Sequence, residues 1–86
     1  MRIDSEIPRN HPQREAVEIA IREALAVLPS SWTAWIHVAP HKRVAWLIQV
    51  RTADGFGTSI VAEVSEQSAA PIQARLRAAV ALHLAA

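Results

Sequence analysis

The chain has no cysteine, and that absence removes disulfides, thiolate metal sites and cysteine nucleophiles together. It holds two glycines, Gly55 and Gly57, so no glycine-rich loop is available to cradle a phosphate. Charge of one sign is also missing: nine Lys+Arg face eight Asp+Glu, and a net charge of +1 generates no strong field to steer the chain to nucleic acid or an anionic membrane. No apolar run comes near the ~20 residues that span a bilayer. The opening residues Met1 to Glu6 lack the apolar stretch of a secretory leader. These absences lead us to expect a soluble, cytoplasmic protein, in keeping with a reducing compartment.

What is present is an apolar, foldable chain. Its 86 residues are 51% hydrophobic, too apolar for intrinsic disorder. A chain of this length buries roughly 60–65% of its unfolded surface, enough for one core layer. An enclosed active site with its own supporting shell is hard to fit into that volume. The expected organisation is an N-terminal arm over residues 1–11 followed by one domain over 12–86.

The order of elements is the most informative positive signal. Val17, Ala20, Ile21, Ala24 and Leu28 recur at three- and four-residue spacing and predict a first amphipathic helix. Asn10 or His11 is placed to cap it, Pro12 suits its first turn, and Pro29-Ser30-Ser31 is expected to stop it. Glu18 and Arg22 stand four apart, in the favourable order for an ion pair. Three strands are predicted next: Trp32–Ala39, Val44–Thr52 (with Val44, Trp46, Ile48 and Val50 on one face) and Thr58–Ser65 (with Ile60, Ala62 and Val64 on one side). Asp54-Gly55 signals a tight hairpin, and a three-residue loop from Ala53 to Gly55 sets Ile48 opposite Ile60 and Trp46 opposite Ala62. In the first hairpin an odd loop turns Ala34, Ile36 and Val38 to the core; an even loop turns Trp35 and His37 there instead. The odd loop hides more apolar surface and is the expected one. A last helix follows, with Ser68 as cap, Pro71 in its first turn, and a stripe of Ile72, Leu76, Ala79, Val80 and His83 or Leu84. The predicted fold is therefore α+β, a two-layer αβββα sandwich: a three-stranded antiparallel meander with both helices on one sheet face.

That arrangement leaves a second sheet face carrying Thr33, Trp35, His37, Ala45, Leu47, Gln49, Arg51, Ser59, Val61 and Glu63. Covering a tryptophan removes ~150–250 Å² from water, worth up to about 4–6 kcal/mol, so a cover for Trp35 is expected. The arm with Ile3 and Ile7, a second copy of the chain, or a different partner could each provide it.

Polar candidates are sparse. His37 and His41 fall on a strand end and a turn, where four-residue spacing loses its helical meaning, and no acidic neighbour completes a zinc site. His83 is read as a helix C-terminal residue facing the dipole, and His11 as lying at a helix start. Ser30, Ser31, Ser59, Ser65 and Ser68 occupy turn, strand and cap contexts rather than a nucleophilic constellation. Acid–base work by Glu63 beside His37 is the one enzymatic geometry that can be drawn.

From about residue 12 to 86, the order helix–three strands–helix resembles the double-stranded-RNA-binding domain, and Pro40-His41 is similar to the loop that family places in a minor groove. The resemblance implies RNA contact through basic residues, here Lys42, Arg43, Arg51, Arg75 and Arg77. The chain departs from the family at the start of the last helix, where Ser68-Ala69-Ala70-Pro71-Ile72-Gln73 stands in place of clustered lysines. Arg75 and Arg77, two apart, point in different directions. Small toxins of related topology cleave RNA with a strand histidine, to which His37 can be compared, but Ile36 and Val38 flank it rather than glycine.

The function expected from these readings is non-enzymatic protein–protein contact, with self-association through the open sheet face as its simplest form. Trp35, Leu47 and Val61 are the expected anchors and His37, Gln49 and Arg51 the rim. No cofactor, metal or membrane is expected. The RNA-binding module and the histidine-dependent ribonuclease are the alternatives.

Overall fold

A computed structural model describes residues 1–38 and 44–85. Within them the order is β1 (Arg2–Ser5), α1 (Arg14–Leu25), β2 (Trp32–Val38), β3 (Trp46–Thr52), β4 (Gly57–Ala62) and α2 (Ala69–Ala85), with a 3-10 turn at Val64–Glu66. The fold is α+β. Its sheet is mixed and has four strands in the order β1-β2-β3-β4, where three antiparallel strands were expected.

The additional strand comes from the segment read as an arm. Arg2–Ser5 pairs parallel with β2, placing Ile3 beside Ala34 and Asp4 beside Trp35. Parallel neighbours cannot be joined by a tight turn, and α1 supplies the crossover between them. The ladder continues one step as Glu6 N–H donates to the Ile36 carbonyl at 2.9 Å. It ends where the Glu6 carboxylate accepts the Val38 N–H at 3.0 Å. Ile7 is 1% exposed and joins the core, with Ile3 packed against it. Neither residue covers Trp35, so the arm is corrected to an edge strand and a core residue.

The meander follows the expected registers. Ile36 faces Ile48, and Ala34 faces Val50; Ile48 faces Ile60, and Trp46 faces Ala62. The odd register of the first hairpin puts Ala34 and Ile36 inside, with Val38 packed against the core. The second hairpin closes over Ala53, Asp54 and Gly55: Thr52 N–H donates to the Phe56 carbonyl at 2.9 Å. Gly55 has φ +97°, a backbone that side chains oppose.

The strand ends depart from expectation. Val44 precedes β3 and is 73% exposed, and Val64 has left β4 for the 3-10 turn and is 64% exposed. There Glu63 and Glu66 exchange side-chain-to-backbone hydrogen bonds in a capping box, which turns the chain away from the ladder.

Both helices contribute to a single buried cluster. Val17, Ile21, Ala24 and Leu25 of α1 and Ile72, Leu76 and Val80 of α2 join Trp32, Ala34, Ile36, Trp46, Ile48, Val50, Ile60 and Ala62. These strand residues share one face by alternation. α1 stops at Leu25, before Pro29, and Leu28 packs into the core from the loop. Gln13 occupies the N-cap without a side-chain bond, while His11 Nδ1 accepts the Gln13 N–H at 3.1 Å. Glu18 pairs with Arg14 at 2.9 Å. Arg22 lies over the Trp32 ring at 6.0 Å instead of pairing with Glu18. On α2, Leu84 is exposed, and His83 stacks on Phe56 with ring centroids 4.0 Å apart, tying the helix end to the second hairpin.

Candidate functional site

The alternation that buries one sheet face turns the other outward, and the registers arrange its residues as a lattice. One row runs Arg2, Thr33, Arg51, Gly57; the next runs Asp4, Trp35, Gln49, Ser59; the third runs His37, Leu47, Val61, with Glu6 beyond the end of β1. None of these residues is buried. The six expected interface residues, Trp35, His37, Leu47, Gln49, Arg51 and Val61, therefore share this face. Trp35 and Leu47 are half-buried by their neighbours, and Val61 is 39% exposed.

His37 is held from two sides. Its Nε2 lies 3.0 Å from Gln49 Oε1, where the ring N–H donates to the amide oxygen. Its Nδ1 lies 3.6 Å from a carboxylate oxygen of Glu6. The acid beside His37 is thus Glu6, not Glu63, which is engaged in the capping box past the end of β4. Sequence spacing could not reveal Glu6, because only the parallel pairing of β1 brings it to the end of β2. Gln49 and Glu6 thus flank the two ring nitrogens of His37.

Trp35, His37, Gln49, Val50, Arg51, Gly55, Gly57, Thr58 and Ser59 line an open groove of about 690 Å³. The Arg51 guanidinium forms no hydrogen bond or ion pair among the described residues. Gly57, opposite Arg51, leaves the groove floor without a side chain.

The residues expected to contact RNA do not converge in the described part of the chain. Arg51 lies on the open face. Arg75, on α2, donates to the Val61 carbonyl and pairs with Glu66 at 3.6 Å. Arg77 is exposed on α2. Lys42, Arg43 and His41 lie outside the described residues, as does the Pro40-His41 turn.

A second groove, about 400 Å³, runs along α1 from Arg9 to Arg22. Its Arg14 is committed to Glu18 and to the Ile7 carbonyl, and mixed charges line the rest. Among the described residues no group of three or more His, Asp or Glu could hold a metal ion, and no helix is long and apolar enough to cross a membrane.

Comparison of the chain with known protein families, with curated proteins and with solved structures gives no match. The functional reading rests on the geometry of the open face.

Proposed function

We propose that the protein is a small non-enzymatic interaction module that docks protein surface, in the first place a second copy of itself, on its open sheet face. The observation that carries this reading is the set Trp35, Leu47 and Val61, unburied on the face that the core does not use. Residues of both helices join the core cluster on the opposite side, so a partner would complete the apolar cover that these side chains have in part. Trp35 stands at the centre of the lattice, where a contact residue is most fully desolvated, and His37, Gln49 and Arg51 supply a polar surround.

Size sets the strength of such a contact. Strands of six or seven residues, ~4.8 Å apart, make a face roughly 20 Å on a side. Covering it buries on the order of 400–500 Å² per partner, below the ~800 Å² of a standard stable interface. The association is accordingly weak and reversible, and it suits a protein working in the cytoplasm at high local concentration.

Sedimentation mass across a concentration series tests this. Wild type shifts toward twice the monomer mass as concentration rises. Trp35→Ala raises the dissociation constant roughly tenfold, as expected when a central aromatic anchor is truncated, while its circular-dichroism melt stays close to wild type. A monomer at every concentration, or an unchanged dissociation constant in Trp35→Ala, overturns the reading.

A further inference from the structure

The groove on the open face has, beside Trp35, a polar half whose groups serve protein docking only as a rim. Gly57 is the clearest sign of it. Only Gly55 among the glycines has a positive φ, so the backbone at Gly57 imposes no glycine. A Cβ there meets the Val50 carbonyl oxygen at 3.7 Å and Arg51 Cγ at 4.0 Å, ordinary contacts, so packing imposes none either. Gly57 is the first residue of β4, and a strand glycine marks a bulge, a bend or a close approach to the backbone. At Gly57 the missing side chain opens the groove beside the Arg51 guanidinium, which has no partner among the described residues.

Trp35 lines the same groove and is diagonal to Arg51 across the β2–β3 ladder. Diagonal cross-strand neighbours stand about 7–8 Å apart, comparable with the reach from a nucleobase ring to its phosphate. The Gln49 amide and the Ser59 hydroxyl lie on the row of Trp35 and offer donors and acceptors at the edge of a stacked ring. The groove volume of about 690 Å³ falls within the range of small-molecule sites.

We propose that this groove binds a nucleotide, its base stacked on Trp35 and its phosphate paired with Arg51. The nucleotide is free, or it is a unit of a single strand. A flat ring and an adjacent anion answer the Trp35 indole and the Arg51 guanidinium that line the groove, whereas duplex RNA needs several converging cations. Nucleotide binding here does not depend on self-association, though both use Trp35 and so compete.

Trp32 and Trp46 are 4% and 5% exposed, so quenching of tryptophan fluorescence by added ligand reports mainly on Trp35. The probes are adenosine monophosphate, adenosine, inorganic phosphate and a short oligoadenylate, each titrated at low and at higher salt. Saturable quenching by adenosine monophosphate or by the oligoadenylate is expected, weaker with adenosine and absent with phosphate. Equal affinity per site for the two identifies the free nucleotide; an oligoadenylate at least tenfold tighter identifies the single strand.

Arg51→Gln is expected to weaken binding about tenfold and to flatten its salt dependence. Gly57→Val, which the backbone accommodates, is expected to abolish binding with the melt retained. In Trp35→Ala, equilibrium dialysis with labelled adenosine monophosphate replaces fluorescence, and affinity falls roughly five- to a hundredfold, the span of base-on-aromatic stacking. No saturable quenching by either nucleotide probe, or full binding in a folded Gly57→Val, overturns the proposal. Sedimentation mass and quenching are read separately, so failure of self-association leaves the nucleotide site standing, and the reverse.

Discussion

Among the described residues, Asp54 is a titratable group whose surroundings clearly shift it. The Thr52 hydroxyl donates to its carboxylate and holds the Asp54 pKa below its usual 3.8. A carboxyl lowered on folding adds stability that is fully present above its unfolded value and is lost as pH falls through its folded value. Asp54→Asn should therefore lower the urea midpoint slightly at neutral pH, with a deficit that shrinks only in acid below pH 3.8. A deficit that stays constant into strong acid refutes this origin. Ile7 makes the larger residue-scale claim. At 1% exposure it is a core residue, so Ile7→Ala should cost about 2–5 kcal/mol in chemical denaturation. A free arm would register less than ~0.5 kcal/mol.

At the scale of the element, β4 is the exposed risk. It is an edge strand, and an edge with unpaired backbone groups invites pairing with another chain. The structure blunts its C-terminal half, where Arg75 donates to the outward Val61 carbonyl, while Gln67 Nε2 closes the end of the β3–β4 ladder on the Ala62 carbonyl at 3.2 Å and that of Val44 at 2.8 Å. Arg75 thus serves the edge where the sequence suggested a phosphate contact. Arg75→Ala should cost no more than about 1 kcal/mol, as for a partly exposed charged group. It should also raise light scattering on prolonged incubation; scattering equal to wild type counts against edge protection. On the other flank, Glu6 closes the β1–β2 ladder by accepting the Val38 N–H, which no local pattern announces.

At the scale of the molecule, periodicity carried most of the information. The three- and four-residue spacing from Val17 to Ala24, and again from Ile72 to Val80, marks the faces that both helices bury. The alternation through Ala34, Ile36, Trp46, Ile48 and Ile60 set the meander registers, because slipping one residue in either hairpin would expose a whole apolar row. The same alternation assigns Trp35, Leu47 and Val61 to one outward face. Local patterning thus determined the helices and the meander, while Ala45, expected on the open face, is buried and Glu63 lies past the end of β4. The parallel seat of β1, the burial of Ile7, the meeting of Glu6 with His37 and the concavity beside Gly57 were decided by tertiary structure alone. Each depends on segments some thirty residues apart, or on the volume between strands, and a short polar stretch such as Arg2–Ser5 has no period from which its partner could be read.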